Sequence, residues 1–142
     1  MELMKNGEPF FLVTSPHGIE SYLPSIGDVY LKSGWGTAYS LSMLRKMFRG
    51  AYYVVAISSV SVMGFIRAFT DGVCVTHLSE ILVHPDYRGK GVGEVMMKKM
   101  LGDLSHTTMY AEVMRGRSER FFEKNEFSQK MQLRAYARKK QI

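Results

Sequence analysis

The chain has 142 residues, 46% of them hydrophobic, and 19 Lys and Arg against 13 Asp and Glu give it a net charge of +6. This length fits one domain, 1–142, with its own buried core. No run approaches the roughly 20 apolar residues of a membrane-crossing helix, and the charged stretch Met1–Glu8 lacks the apolar block of a secretion signal, so no membrane association and a cytoplasmic location are expected. The lone cysteine, Cys74, excludes an internal disulfide and a cysteine-rich zinc site. His17, His77, His84 and His106 are scattered without ligand spacing, so no metal is expected. The positive excess favours an anionic ligand, either a phosphate-rich cofactor or nucleic acid. Part of it (Arg134, Arg138, Lys139, Lys140) lies in a tail that reads as solvated.

In chain order, Pro9–Thr14 is aromatic and β-branched enough for a first strand. Two short helices are predicted over 24–34 and 38–49, divided by Gly34, Trp35 and Gly36 and ended by Gly50. Three strands follow: Tyr52–Ile57, Val62–Phe69 and Val73–Val83, joined by a turn at 58–61 and a tight one at Asp71-Gly72. Cys74 falls inside the third and reads as a small core residue. A helix over 91–104 places Gly93, Met96, Met97, Met100 and Leu104 on one face, as core packing. A strand at 107–113, a helix at 117–124 and a final strand at 128–138 complete the order β-α-α-β-β-β-α-β-α-β. Hairpin-linked strands before the first long helix argue for an α+β fold around a mostly antiparallel sheet.

The chemically informative stretch is Glu80–Gly93, EILVHPDYRGKGVG: a strand, a proline stop, a glycine-rich turn and a helix start. Gly89, Gly91 and Gly93 allow the backbone to curl so that several N–H groups converge. The helix start adds further N–H donors and a partial positive charge. Such a concavity suits a pyrophosphate, and Arg88 and Lys90 flank it with charge. It is not a P-loop, because no Gly-Lys-Ser/Thr follows at the required spacing. Nor is it the dinucleotide GxGxxG, since Glu94 stands where the third glycine belongs. His84 and Asp86, beside it, read as cap or turn residues.

With Val83 and Pro85 in front, Arg88, Gly91 and Gly93 form a segment that resembles the GNAT motif, Val-x-Pro followed by Arg/Gln-x-x-Gly-x-Gly/Ala. Upstream, VMGFIRAFTDG is similar to a hairpin of many GNAT members, and downstream RFFEKNEF is similar to their RFYEKxGF segment. The resemblance implies a GNAT-like fold, a mixed and mostly antiparallel sheet flanked by helices, and transfer of an acetyl group from acetyl-CoA to a primary amine by direct attack. It implies that the backbone of Leu82 and Val83 bonds the pantetheine arm as an added strand, and that the N–H groups of Arg88, Gly89, Lys90, Gly91, Val92 and Gly93 hold the pyrophosphate. Homodimerisation is implied only by analogy.

An amine with a pKa near that of lysine, about 10.4, must lose a proton before it attacks. Glu80 is the candidate base, on the strand face of Leu78 and Leu82, where family members often carry a working carboxylate; the other reading is a solvated glutamate at the strand's open end. The family's general acid is the tyrosine of RFYEK, and Phe122 stands in its place. It keeps the packing against the cofactor and loses the proton. Tyr110 is a substitute candidate unless it is a structural core tyrosine, and water is another, since a thiol of pKa about 8.5 leaves readily. Glu126 replaces the glycine of that segment, a change of turn. Trp35 and Tyr39 are candidate walls of the acceptor pocket, and Arg67 suits an acidic group on the acceptor. Two alternatives stay open: a silent acyl-CoA-binding regulatory module, motivated by Phe122, and a nucleic-acid binder, motivated by the charge. The second lacks a helix-turn-helix or basic–aromatic pattern. The acceptor's identity is not legible in the chain.

Overall fold

The computed structural model describes residues 1–35, 38–59 and 61–141. Gly36 of the predicted glycine divider and Val60 of the predicted 58–61 turn lie outside them. The chain forms two compact units, Met1–Tyr110 and Ala111–Ile142. The first contains nearly all of a six-stranded sheet ordered β1-β2-β3-β4-β5-β6, namely Glu2–Leu3, Pro9–Thr14, Tyr52–Ser58, Ser61–Thr70, Val75–Val83 and Thr108–Ala111. The first five strands pair antiparallel with their neighbours. The sixth follows the helix Val92–Leu104, the kind of connection that a mixed sheet needs.

Burial follows position in the sheet. The central strands β3 and β4 are covered on both faces, so their runs are almost continuously apolar, whereas β5 alternates buried and half-buried residues. Helices α1 (Leu23–Lys32) and α2 (Leu41–Phe48) bring Leu23, Ile26, Val29, Tyr30, Leu44 and Phe48 into a core with Tyr53, Val55, Ile57, Phe65 and Leu82. Pro24 suits the first turn of α1, where its missing N–H costs nothing, and Ser40 caps α2 by accepting the Met43 N–H at 3.1 Å. Helix α3 (Val92–Leu104) packs against β3, β4 and β5, burying Val92, Met96, Met97, Met100 and Leu104. The predicted methionine face is thus core.

Two irregularities matter for the site. Between β3 and β4 the register slips beside Met63, and between β4 and β5 it slips beside Ser79, so that Arg67 opposes Glu80 while Ala68 opposes Leu78. Gly64 lies opposite Val83. A Cβ there would stand 2.6 Å from the Leu82 carbonyl oxygen, so only glycine admits this close approach of the two strands.

The second unit holds α4 (Arg117–Lys124), which matches the predicted helix. It ends in a Schellman motif: the Phe127 N–H donates to the Phe122 carbonyl at 3.0 Å and the Glu126 N–H to Glu123 at 3.1 Å. The rings of Phe122 and Phe127 close the motif with centroids 5.1 Å apart. Glu126, which replaces the family's glycine, sits at φ 68°. The final strand predicted over 128–138 is absent: those residues are exposed and carry neither helix nor strand. One side of the alternation is polar apart from Tyr136, with Ser128, Lys130, Gln132, Arg134 and Arg138. The other offers only Met131 and Leu133 beside the small Ala135 and Ala137, too little apolar surface to fix a buried face.

Candidate active site

The glycine-rich turn folds as its composition requires. Gly89 and Gly91 take φ of 76° and 87°, conformations that side chains rarely adopt, and Gly91 is the residue from which α3 starts. Because Gly91 has no side chain to cap the helix, the first-turn N–H groups, Val92 and Gly93 among them, face outward without an intrahelical acceptor. His84 caps the short helical turn Pro85–Tyr87 that leads into the glycine-rich turn, its Nδ1 accepting the Asp86 N–H at 3.1 Å while Nε2 lies 3.2 Å from Asp28 on α1. Both sequence-predicted cap residues therefore build the entry to the turn. A pyrophosphate fits this loop: two left-handed glycines, the amides of Val92 and Gly93 without an intrahelical acceptor and the positive end of a 13-residue helix converge there.

Leading into the loop, β5 has nine residues and β6 only four. At about 3.3 Å per residue these span roughly 30 and 13 Å. The Thr108 N–H donates to the Cys74 carbonyl at 2.9 Å, which fixes the start of β6 beside the start of β5. The far half of β5, with Leu82 and Val83, therefore outruns its neighbour and leaves a sheet edge. The Arg88 Nε donates to the Val83 carbonyl at 3.0 Å, folding this arginine back over the strand's end.

Beside that edge lies a buried polar cluster. Glu80, 6% exposed, accepts from the Tyr30 hydroxyl at 2.6 Å on Oε1. Arg67 donates from Nη2 to Oε1 at 2.8 Å and from Nε to Oε2 at 3.0 Å, and its Nη1 reaches the Met47 carbonyl at 3.2 Å. The guanidinium also lies over the Phe48 and Phe69 rings, 5.9 and 5.3 Å from their centroids. Burial, then the bond to Glu80, pushes the Tyr30 phenol far above its ordinary range, so it stays a donor. Burial alone would pull Arg67 down, yet the bond to Glu80 and the neighbouring charge lift it above its usual value. The sequence paired neither residue with Glu80, because Tyr30 is 50 positions away and the Arg67–Glu80 register depends on the bulge.

The remaining predicted residues are dispersed. Tyr39 is half-buried edge-on to Tyr30 with centroids 4.9 Å apart, and Trp35 is 43% exposed after α1. Tyr110 is 46% exposed on β6, so it is not the structural core tyrosine of the alternative reading. Phe122 belongs to the second unit, where it packs on Phe121 and Phe127. Cys74 is exposed rather than core: the Asp71 Oδ1 accepts the N–H groups of Val73, Cys74 and Val75, which draws residues 73–74 into the turn and delays the strand to Val75. Lys5 gave no signal in the sequence, yet its N–H donates to the Lys90 carbonyl at 2.9 Å.

Three comparisons bear on this arrangement. The profile of the acetyltransferase (GNAT) domain matches residues 49–129. An uncharacterized N-acetyltransferase of Porphyra purpurea is 32% identical over 60 residues, which are 39% of this chain and 34% of that protein, so the match spans about a third of the relative's length. Among solved structures, a GNAT-family acetyltransferase of Streptococcus pneumoniae superposes with a TM-score of 0.71 at 20% identity, covering 84% of this chain and 88% of its own. A protein of unknown function from meticillin-resistant Staphylococcus aureus reaches 0.75 at 14% identity, covering 93% and 100%. At these identities the two structures speak to the α+β fold alone. The profile, which spans more than half of the sequence and includes the whole glycine-rich loop, establishes that the chain belongs to the GNAT acetyltransferase family.

Proposed function

We propose that this protein is an N-acetyltransferase that moves an acetyl group from acetyl-CoA to a primary amine by direct attack. The observation that carries the reading is the continuous path from an uncovered strand edge at Leu82 and Val83 into the amide-lined loop at Arg88–Gly93. An extended arm with amide groups suits the edge, and a pyrophosphate suits the loop. Arg88 releases the Val83 carbonyl when the arm pairs there, and its guanidinium then faces the phosphates. Bound acetyl-CoA supplies the thioester carbonyl that the amine attacks.

In this reading Glu80 takes the ammonium proton through water on Oε2, the oxygen with fewer donors around it. A specific observation favours a second role. A carboxylate clasped by a guanidinium and a phenol is already compensated, which makes it an anchor joining α1, β4 and β5 and leaves the proton to bulk water. Tyr110, solvent-facing on β6, is the candidate proton donor to the thiolate, with water as the other. Trp35 and Tyr39 are proposed as acceptor walls and Phe122 as a packing surface for the cofactor. Arg67 is engaged by Glu80, which leaves it only an indirect hold on the acceptor. The primary amine, a homodimer and a cytoplasmic location also belong to the proposal; light scattering checks the dimer.

Calorimetric titration with acetyl-CoA tests the reading first, with Gly91→Val as the disabled loop. Saturable binding lost in the variant supports it, and thiol release with a panel of amines then finds the acceptor. A folded wild-type protein that binds no acetyl-CoA overturns it. Glu80→Gln separates the two roles. A base predicts kcat lower by about 100-fold or more with unchanged acetyl-CoA affinity; an anchor predicts a lower Tm and an intact rate per folded molecule.

A further inference from the structure

We propose that Lys5, carried to the glycine-rich loop by the N-terminal hairpin, is a phosphate-binding residue directed at the pyrophosphate of the acyl donor; this rests on the acetyl-CoA reading above. The hairpin is a built element. Its strands pair through Glu2 with Phe10 and Leu3 with Pro9. Met4 is buried at 3% exposure, its N–H donates to the Glu8 carbonyl at 2.8 Å, and its own carbonyl accepts from Gly7 at 2.9 Å, with Gly7 at φ 88°. The buried methionine and the tight turn that it opens fix the residue that follows Met4.

That residue is Lys5, and two contacts direct it to the loop. Its N–H donates to the Lys90 carbonyl at 2.9 Å, which docks the hairpin on the turn. Its Cγ, Cε and Cδ lie 3.4, 3.6 and 3.9 Å from the point where a Cβ on Gly91 would stand. The stem thus runs along Gly91, the residue from which α3 starts, and the side chain ends in solvent. Arg88 is engaged with the Val83 carbonyl, and the Lys90 ammonium lies 5.6 Å from the Tyr87 ring centroid. Lys5 is therefore a cation set against the loop with no ion pair to break, among the described residues, before it meets an anion.

Lys5→Met keeps the aliphatic stem and removes the charge. At low ionic strength it weakens acetyl-CoA binding about three- to tenfold, and the difference shrinks at 0.5 M NaCl as exposed charges are screened. The same loss appears with dephospho-CoA, which retains the pyrophosphate, and Lys5→Arg restores affinity. Acetyl-pantetheine, which has no pyrophosphate, serves both proteins equally. Unchanged calorimetric affinity in Lys5→Met overturns the proposal while the acetyl-CoA reading stands. A loss confined to CoA and absent with dephospho-CoA overturns it by moving the contact to the other phosphate. An equal loss with acetyl-pantetheine overturns it by showing that Lys5 only shapes the turn. Failure of the wild type to bind acetyl-CoA sinks both readings together, and only that outcome does.

Discussion

Glu80 shows how one residue's surroundings set what it does. Burying a carboxylate is costly unless it is paired, and here Arg67 supplies the charge and Tyr30 a further donor. Removing one partner exposes the cost. Arg67→Met is expected to destabilise the fold by about 3–5 kcal/mol, and the double change Arg67→Met with Glu80→Leu to recover most of that, measured by urea unfolding as a double-mutant cycle. Glu126 makes the opposite case. At φ 68° it carries the strain of a left-handed conformation that glycine adopts freely. Glu126→Gly is expected to raise stability by about 0.5–1 kcal/mol, read by the same unfolding. Asp71 adds a pH dependence. Three backbone N–H groups, led by Cys74, hold its carboxyl below the ordinary value, so its stabilisation is present above the unfolded pKa of about 3.9 and is lost as pH falls through the folded one. Asp71→Asn flattens that part of the acid-unfolding curve; an unchanged curve would remove Asp71 from the acid response.

At the scale of elements, the site is made by the lengths and closeness of strands. Gly64 lets β4 approach β5 closely at Leu82 and Val83. Gly64→Ala meets backbone, which cannot swing away, so it is expected to cost about 1–3 kcal/mol and to weaken acetyl-CoA binding at the same time. Loss of stability without loss of binding would show that the edge tolerates the shift. Much of this element-level picture was legible in the sequence: the glycine spacing, the proline stop and the helix start are local signals, and local geometry obeys them. The Asp71-Gly72 turn was legible too, but not that Asp71 would gather three amides and leave Cys74 outside the sheet. The Tyr30–Glu80–Arg67 cluster was hidden because its register depends on one unopposed residue, Ser79, and a one-residue slip carries no mark in composition.

For the molecule as a whole, charge and the tail define the next expectations. Residues 128–141 are exposed and unpaired in any sheet or helix, so ending the chain after Phe127 is expected to shift Tm by less than about 2 °C. A larger drop by calorimetry would mean that the tail is held by something its exposure does not reveal. The same truncation removes Arg134, Arg138, Lys139 and Lys140 while leaving Lys5, Arg88 and Lys90 in place. Acetyl-CoA affinity should therefore be retained, which separates the tail's charge from the charge at the loop.

The strand edge beyond β6 also has a consequence for how the protein behaves in concentrated solution. A strand stretch that its neighbour does not reach is a template for any extended polypeptide, including another copy of the chain in its unliganded form once Arg88 leaves the Val83 carbonyl. On the proposed reading, acetyl-CoA paired with this edge is expected to suppress self-association, which light scattering with and without the ligand checks. The longest-lived preparations will be those in which that edge is never left bare.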